Sequence, residues 1–140
     1  MNQGPDQSPA HSPGGGPPAT ATSTGLDANI SGALAYLLGV FTGILFLLIE
    51  KKSSFVRFHA AQSIGIFVVF MVFWVVISVL SVVLGMIPFI GAVAGFFFFL
   101  ISLVAGFGGF ILWLFLMYQA FQGKEWEFPL VGPQVRKMLR

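Results

Sequence analysis

The sequence predicts an all-α integral membrane protein, a bundle of three transmembrane helices behind a disordered N-terminal tail. Composition is the first reason: 56% of the 140 residues are hydrophobic, with 17 Phe, and mean hydropathy is +0.90. A domain of this size buries only about two thirds of its unfolded surface, so that much apolar area needs lipid as its solvent. The scarcity of charge is the second, since only 9% of residues are charged against about a quarter in a soluble domain. The third is the length of the uncharged stretches, residues 30–49 and 58–123.

Residues 1–29 are Pro, Gly, Ser, Thr and Ala with almost no large apolar side chain. Such a segment gains too little from burial to offset its ordering entropy and reads as a disordered tail. No Lys or Arg precedes Lys51, so the positive start of a secretory signal is missing. Residues 30–49 then span about 30 Å as a helix, the thickness of the hydrocarbon core, and are expected to cross it once. The uncharged stretch 58–123 is too long for one crossing. Pro88, between Gly85 and Gly91, is the natural turn, which places a second helix over about 58–84 and a third over about 92–122. That third helix is long and holds four glycines, so it is expected either as one tilted or kinked span or as two pieces. Residues 30–123 thus form the membrane domain and 124–140 a basic tail.

All seven basic residues lie in the first loop (Lys51, Lys52, Arg57) or in the tail (Lys124, Arg136, Lys137, Arg140). Basic residues favour the cytoplasmic side, so three crossings predict a cell-membrane protein with its N-terminus outside and its C-terminus in the cytoplasm. So few basic residues, grouped beside apolar segments, exclude a nucleic-acid-binding face.

The stretch IEKKSSFVRFHAAQS carries the densest polar chemistry. Glu50, Lys51, Lys52 and Arg57 sit where one helix leaves the bilayer and the next enters, and their long basic side chains can reach headgroups. His59 and Gln62, three apart, share a helix face one turn inside the second span. Ser78 and Ser81 lie close to that face, and a polar stripe within a span must face other helices or a water-filled path, so His59 and Gln62 are the candidate functional residues that periodicity offers. Small residues mark helix packing: Ser31, Ala35, Gly39 and Gly43 recur every four residues, as do Gly91 and Gly95, which permits close backbone approach.

The residues of an enzyme are missing. There is no HExxH, GxSxG or phosphate-binding glycine loop, no Cys and no acidic side chain inside a span, so neither a catalytic residue nor a metal or cofactor site is expected.

The runs GALAYLLGVFTGILFLLIEKKSSFVRFHAAQS, IPFIG and MYQAFQGKEWEFPLVG resemble a family of small bacterial and archaeal membrane proteins of unknown function. That family is grouped with the twenty-kilodalton Tic component of the chloroplast inner-envelope import machinery. FVRFHAAQS is the most specific piece, followed by Tyr118, Ala120, Gly123, Lys124, Pro129 and Gly132. The resemblance implies that Arg57, His59, Gln62 and Ser63 are the positions to test first. The expected function is that of a non-enzymatic scaffold or assembly partner, with the bilayer, further copies of itself or other membrane subunits as partners. The alternative is a component of a protein translocation or permeation pathway.

Overall fold

The structure, a computed structural model, describes residues 22–140, so most of the expected disordered tail lies outside the described residues. Five helices follow in order: α1 (Ala28–Leu37), α2 (Val40–Ile49), α3 (Ser54–Gly85), α4 (Ile90–Phe121) and α5 (Gly132–Met138). Among the described residues there is no β-strand.

The expected single crossing over residues 30–49 is two short helices joined at Leu38 and Gly39. Gly39 has φ +60° and ψ −119°, a region that only glycine enters without strain. The chain reverses there. Tyr36 reaches His59 on α3 and Gly39 lies against Phe67, while on the way back Gly43 faces Ala60 and Ser63. The ends of this hairpin come together, because Ser23 Nα and Lys52 Nα both donate to the Glu50 carboxylate. Each arm has ten residues and reaches about 15 Å, half the hydrocarbon thickness.

Breaking a helix inside lipid leaves carbonyl and N–H groups without water to bind. Here side chains supply the partners. Thr42 Oγ1 accepts from Leu38 Nα at 3.2 Å and donates to the Ala35 carbonyl at 3.1 Å. Trp113 Nε1 donates to the Tyr36 carbonyl at 2.7 Å, and Ser63 Oγ donates to that of Gly39 at 3.4 Å.

Two further expectations change with this hairpin. Residues 22–29, expected within the disordered tail, form a turn and the start of α1, held by Glu50. The N-terminal end of the hairpin was expected across the membrane from the loop after residue 49, yet Ser23 hydrogen-bonds to Glu50 and Lys51 in that loop.

α3 starts at Ser53, whose Oγ accepts from Val56 Nα at 3.3 Å, an N-cap. It and α4 are unbroken 32-residue helices, so the third expected segment is one helix. The turn between them holds Pro88, with Phe89 at φ +67°. Both helices are long and apolar enough to cross a membrane, and their most apolar stretches are not buried within the chain.

The buried core occupies one end only. In α3 it runs from Val56 to Ser63, and in α4 it consists of Leu116 and Ala120. The hairpin packs on this end from one direction. From another, the segment after α4 folds back so that Val131 and Val135 meet Phe58, with Val131 against Gly65.

Candidate functional site

At the packed end, polar groups from α1, α3 and the segment after α4 form one chain of hydrogen bonds. Phe128 Nα donates to Gln62 Oε1 at 3.1 Å. Gln62 Nε2 spends its two protons on the Trp126 carbonyl and on Tyr36 Oη, each at 3.0 Å. Tyr36 Oη also lies 3.1 Å from His59 Nδ1. With the Tyr36 proton directed to Nδ1, a neutral His59 accepts there and carries its own proton on Nε2. That Nε2 is buried and has no partner in hydrogen-bonding geometry, and the backbone of Lys124 is the polar group it faces.

The site is dry. His59 is 1% exposed and Gln62 0%. The imidazole stands edge-on to Phe55 at 4.5 Å and Phe58 at 5.3 Å, and Gly32 leaves the room that Phe55 and His59 fill. The network thus joins α1, α3 and the segment after α4 into a clasp. Within this network His59 Nε2 is the one side-chain nitrogen without a hydrogen-bond partner.

Of the four residues expected to act together, the structure brings His59 and Gln62 into the clasp. Ser63 lies beside it, donating to Ala60 and Gly39 carbonyls. Arg57 is apart, its Nε buried without a hydrogen-bond partner. Of the four packing glycines, Gly43 abuts α3, Gly39 forms the hairpin turn, and Gly91 lies against the backbone of Leu84 and Gly85. Gly95 faces open space. Among the described residues no three His, Cys, Asp or Glu side chains group as metal ligands.

Residues 20–135 match the magnetosome magnetite crystal formation protein family. The chain belongs to that family. It is also 47% identical over 111 residues to a UPF0132 membrane protein of Methanocaldococcus jannaschii, a match covering 79% of this chain and 87% of that one. A UPF0132 membrane protein of Archaeoglobus fulgidus is 44% identical over 104 residues, covering 74% and 87%. No solved structure matches. These findings correct the resemblance to the Tic component, which they do not support. Of the motif that suggested it, His59 and Gln62 are bound in the clasp.

In this family member the sequence did not single out Tyr36, and it gave Glu50 a different place. Tyr36 is one of only two Tyr in the chain, and its isolation in an uncharged run was the available signal. Glu50 was assigned to the membrane surface, but it is 1% exposed and accepts from the backbone N–H groups of Ser23, Lys52 and Ser53 at 2.9–3.0 Å. Burial alone would raise its carboxyl, and these backbone donors outweigh it and hold the group below its usual value of 4.5. A depressed folded value stabilises the fold above the unfolded value, and the gain disappears as pH falls through the folded one. Detergent melting of the wild type is therefore expected to drop on acidification below about pH 4.5, and Glu50→Gln to start about 1–2 kcal/mol lower at neutral pH with a flatter acid response. A wild-type profile matched by the variant would remove Glu50 as the hairpin's lock.

Proposed function

We propose that this family member is a non-enzymatic scaffold or assembly partner in its membrane. It is held there by two crossings, α3 and α4, and by the half-depth hairpin. The observation that carries this reading is the closed clasp: the polar side chains that could line a path or perform chemistry bind each other and the backbone. Membership of the magnetite crystal formation family supports placing the scaffold at a membrane where such crystals form. The M. jannaschii and A. fulgidus relatives are named only as membrane proteins.

Outward chemistry is left to the spans. Gly95, Gly106 and Gly108 of α4 have nothing near the position of an added Cβ, so another helix could approach its backbone closely. The basic residues after Ile49 and after Phe121 lie at the clasp end, which supports placing that end, with residues 22–27, in the cytoplasm. A permeation role loses support, because His59, Gln62 and Ser63 are committed inside the fold.

Single cysteines on this Cys-free chain test the arrangement. Variants at the exposed Leu26, Lys51 and Lys137 are expected to react with an impermeant reagent from one side of sealed vesicles, and one at Phe89 from the other. Leu26 and Lys51 reacting from opposite sides would rule out the hairpin. For the scaffold itself, crosslinked complexes from native membranes are expected to weaken with Gly95→Leu, while purified protein in liposomes conducts no solute. Solute flux through liposomes would overturn the reading.

A further inference from the structure

We infer that the space between α3 and α4 beyond the hairpin tip is a binding site for one lipid acyl chain from the leaflet opposite the clasp. The inference rests on the half-depth hairpin. Had residues 30–49 crossed as one helix, they would have had length enough to cover both halves of the α3–α4 groove. Because they turn back at Gly39, the groove past the tip has no third element, and a cavity of about 730 Å³ runs from the tip, where Tyr36, Gly39 and Ser63 line it, along α3 to Val79.

Its chemistry selects the occupant. The walls are Phe67, Phe70, Trp74 and Phe110, with Gly106 open along α4 and the Phe70 ring seated against Gly109. Nothing charged lines it, so hydrocarbon is the matching partner and a polar solute is not. Its size falls within the roughly 300–1,000 Å³ of small-molecule sites.

Its depth selects the leaflet. Phe67 packs against the hairpin tip at Gly39, and Ser78 lines the other end. Eleven residues of helix separate them, about 17 Å, close to half the roughly 30 Å of hydrocarbon. An acyl chain would run from a glycerol ester near the Ser78 hydroxyl to its methyl end at Gly39. A helix from a second copy fits poorly, because a cylinder about 10 Å wide over that length takes on the order of 1,300 Å³.

Trp113 reports on this cavity, which it lines, and Trp74→Phe with Trp126→Phe leaves it the single tryptophan of three. In bilayers of phosphatidylcholine brominated along the acyl chain, its fluorescence is expected to be quenched. Gly106→Leu, placed where an added Cβ meets nothing, is expected to reduce that quenching about twofold by filling the site. Gly106→Ala, which favours the helix, should give a smaller loss and guards against misfolding. Equal quenching in all three proteins would overturn the site, since Trp113 would then sense bulk lipid alone. Quenching that emerges only when the protein is diluted to monomers would overturn it too, by showing that a second copy covers the cavity. Labelling of Leu26 and Lys51 from opposite sides would refute the hairpin itself, independently of either quenching result.

Discussion

Gly43→Leu is expected to detach the hairpin from α3 and to lower stability in mild detergent by about 3 kcal/mol or more, at the upper end of overpacking costs. A Cβ at Gly43 would collide with Ser63 Oγ and lie 2.9 Å from the Ala60 carbonyl oxygen and from Ile64. A hydroxyl can rotate away, but the Ala60 carbonyl belongs to α3 and cannot yield without moving the helix. The same displacement would break the Ser63 bond to the Gly39 carbonyl, exposing that group to hydrocarbon. Gly39→Ala is expected to cost about 1–3 kcal/mol for a different reason, the backbone conformation at the turn. Leu37→Ala, at a 43% exposed position, should change stability by no more than about 0.5 kcal/mol. Thermal unfolding of the purified variants gives the ranking, and equal losses for Gly43→Leu and Leu37→Ala would sink the packed-hairpin account.

Gln62→Leu is expected to be the most damaging change within the clasp, at about 3 kcal/mol. It leaves the Phe128 N–H and the Trp126 carbonyl without their partner, and buried polar groups left unmade cost about 1–3 kcal/mol each. Both groups lie in the segment that folds back over α3, so that segment should open as a unit. Limited proteolysis after residue 124 would then be faster in the variant. His59→Phe removes an acceptor from the Tyr36 hydroxyl but also deletes the Nε2–H that has no partner. Its net cost should therefore be smaller, about 1 kcal/mol. If His59→Phe proved worse than Gln62→Leu, the histidine would have a role outside the clasp, and the scaffold reading would need revision.

How much of this was legible before the structure varies along the chain. α3, α4 and the turn at Pro88 followed from uncharged length and one proline, because lipid forces backbone bonds to close within a helix. The pairing of His59 with Gln62 followed from helical spacing. Their partners did not, since Tyr36 is 23 residues before His59 and Trp126 is 64 residues after Gln62, and no local pattern links such distances. Glu50 resembled any interfacial carboxylate until Ser23 was seen to return to it.

The sequence by itself determined that this protein lives in a membrane, that it is helical, and that two helices on either side of Pro88 are long and apolar enough to cross it, since each depends on transfer of a local stretch from water to hydrocarbon. Only the tertiary structure decided that residues 30–49 turn back halfway. Twenty apolar residues satisfy the length test of a crossing equally well whether straight or folded. The choice rests on whether Thr42, Trp113 and Ser63 stand where the broken helix needs partners, and two of those three belong to helices elsewhere in the chain.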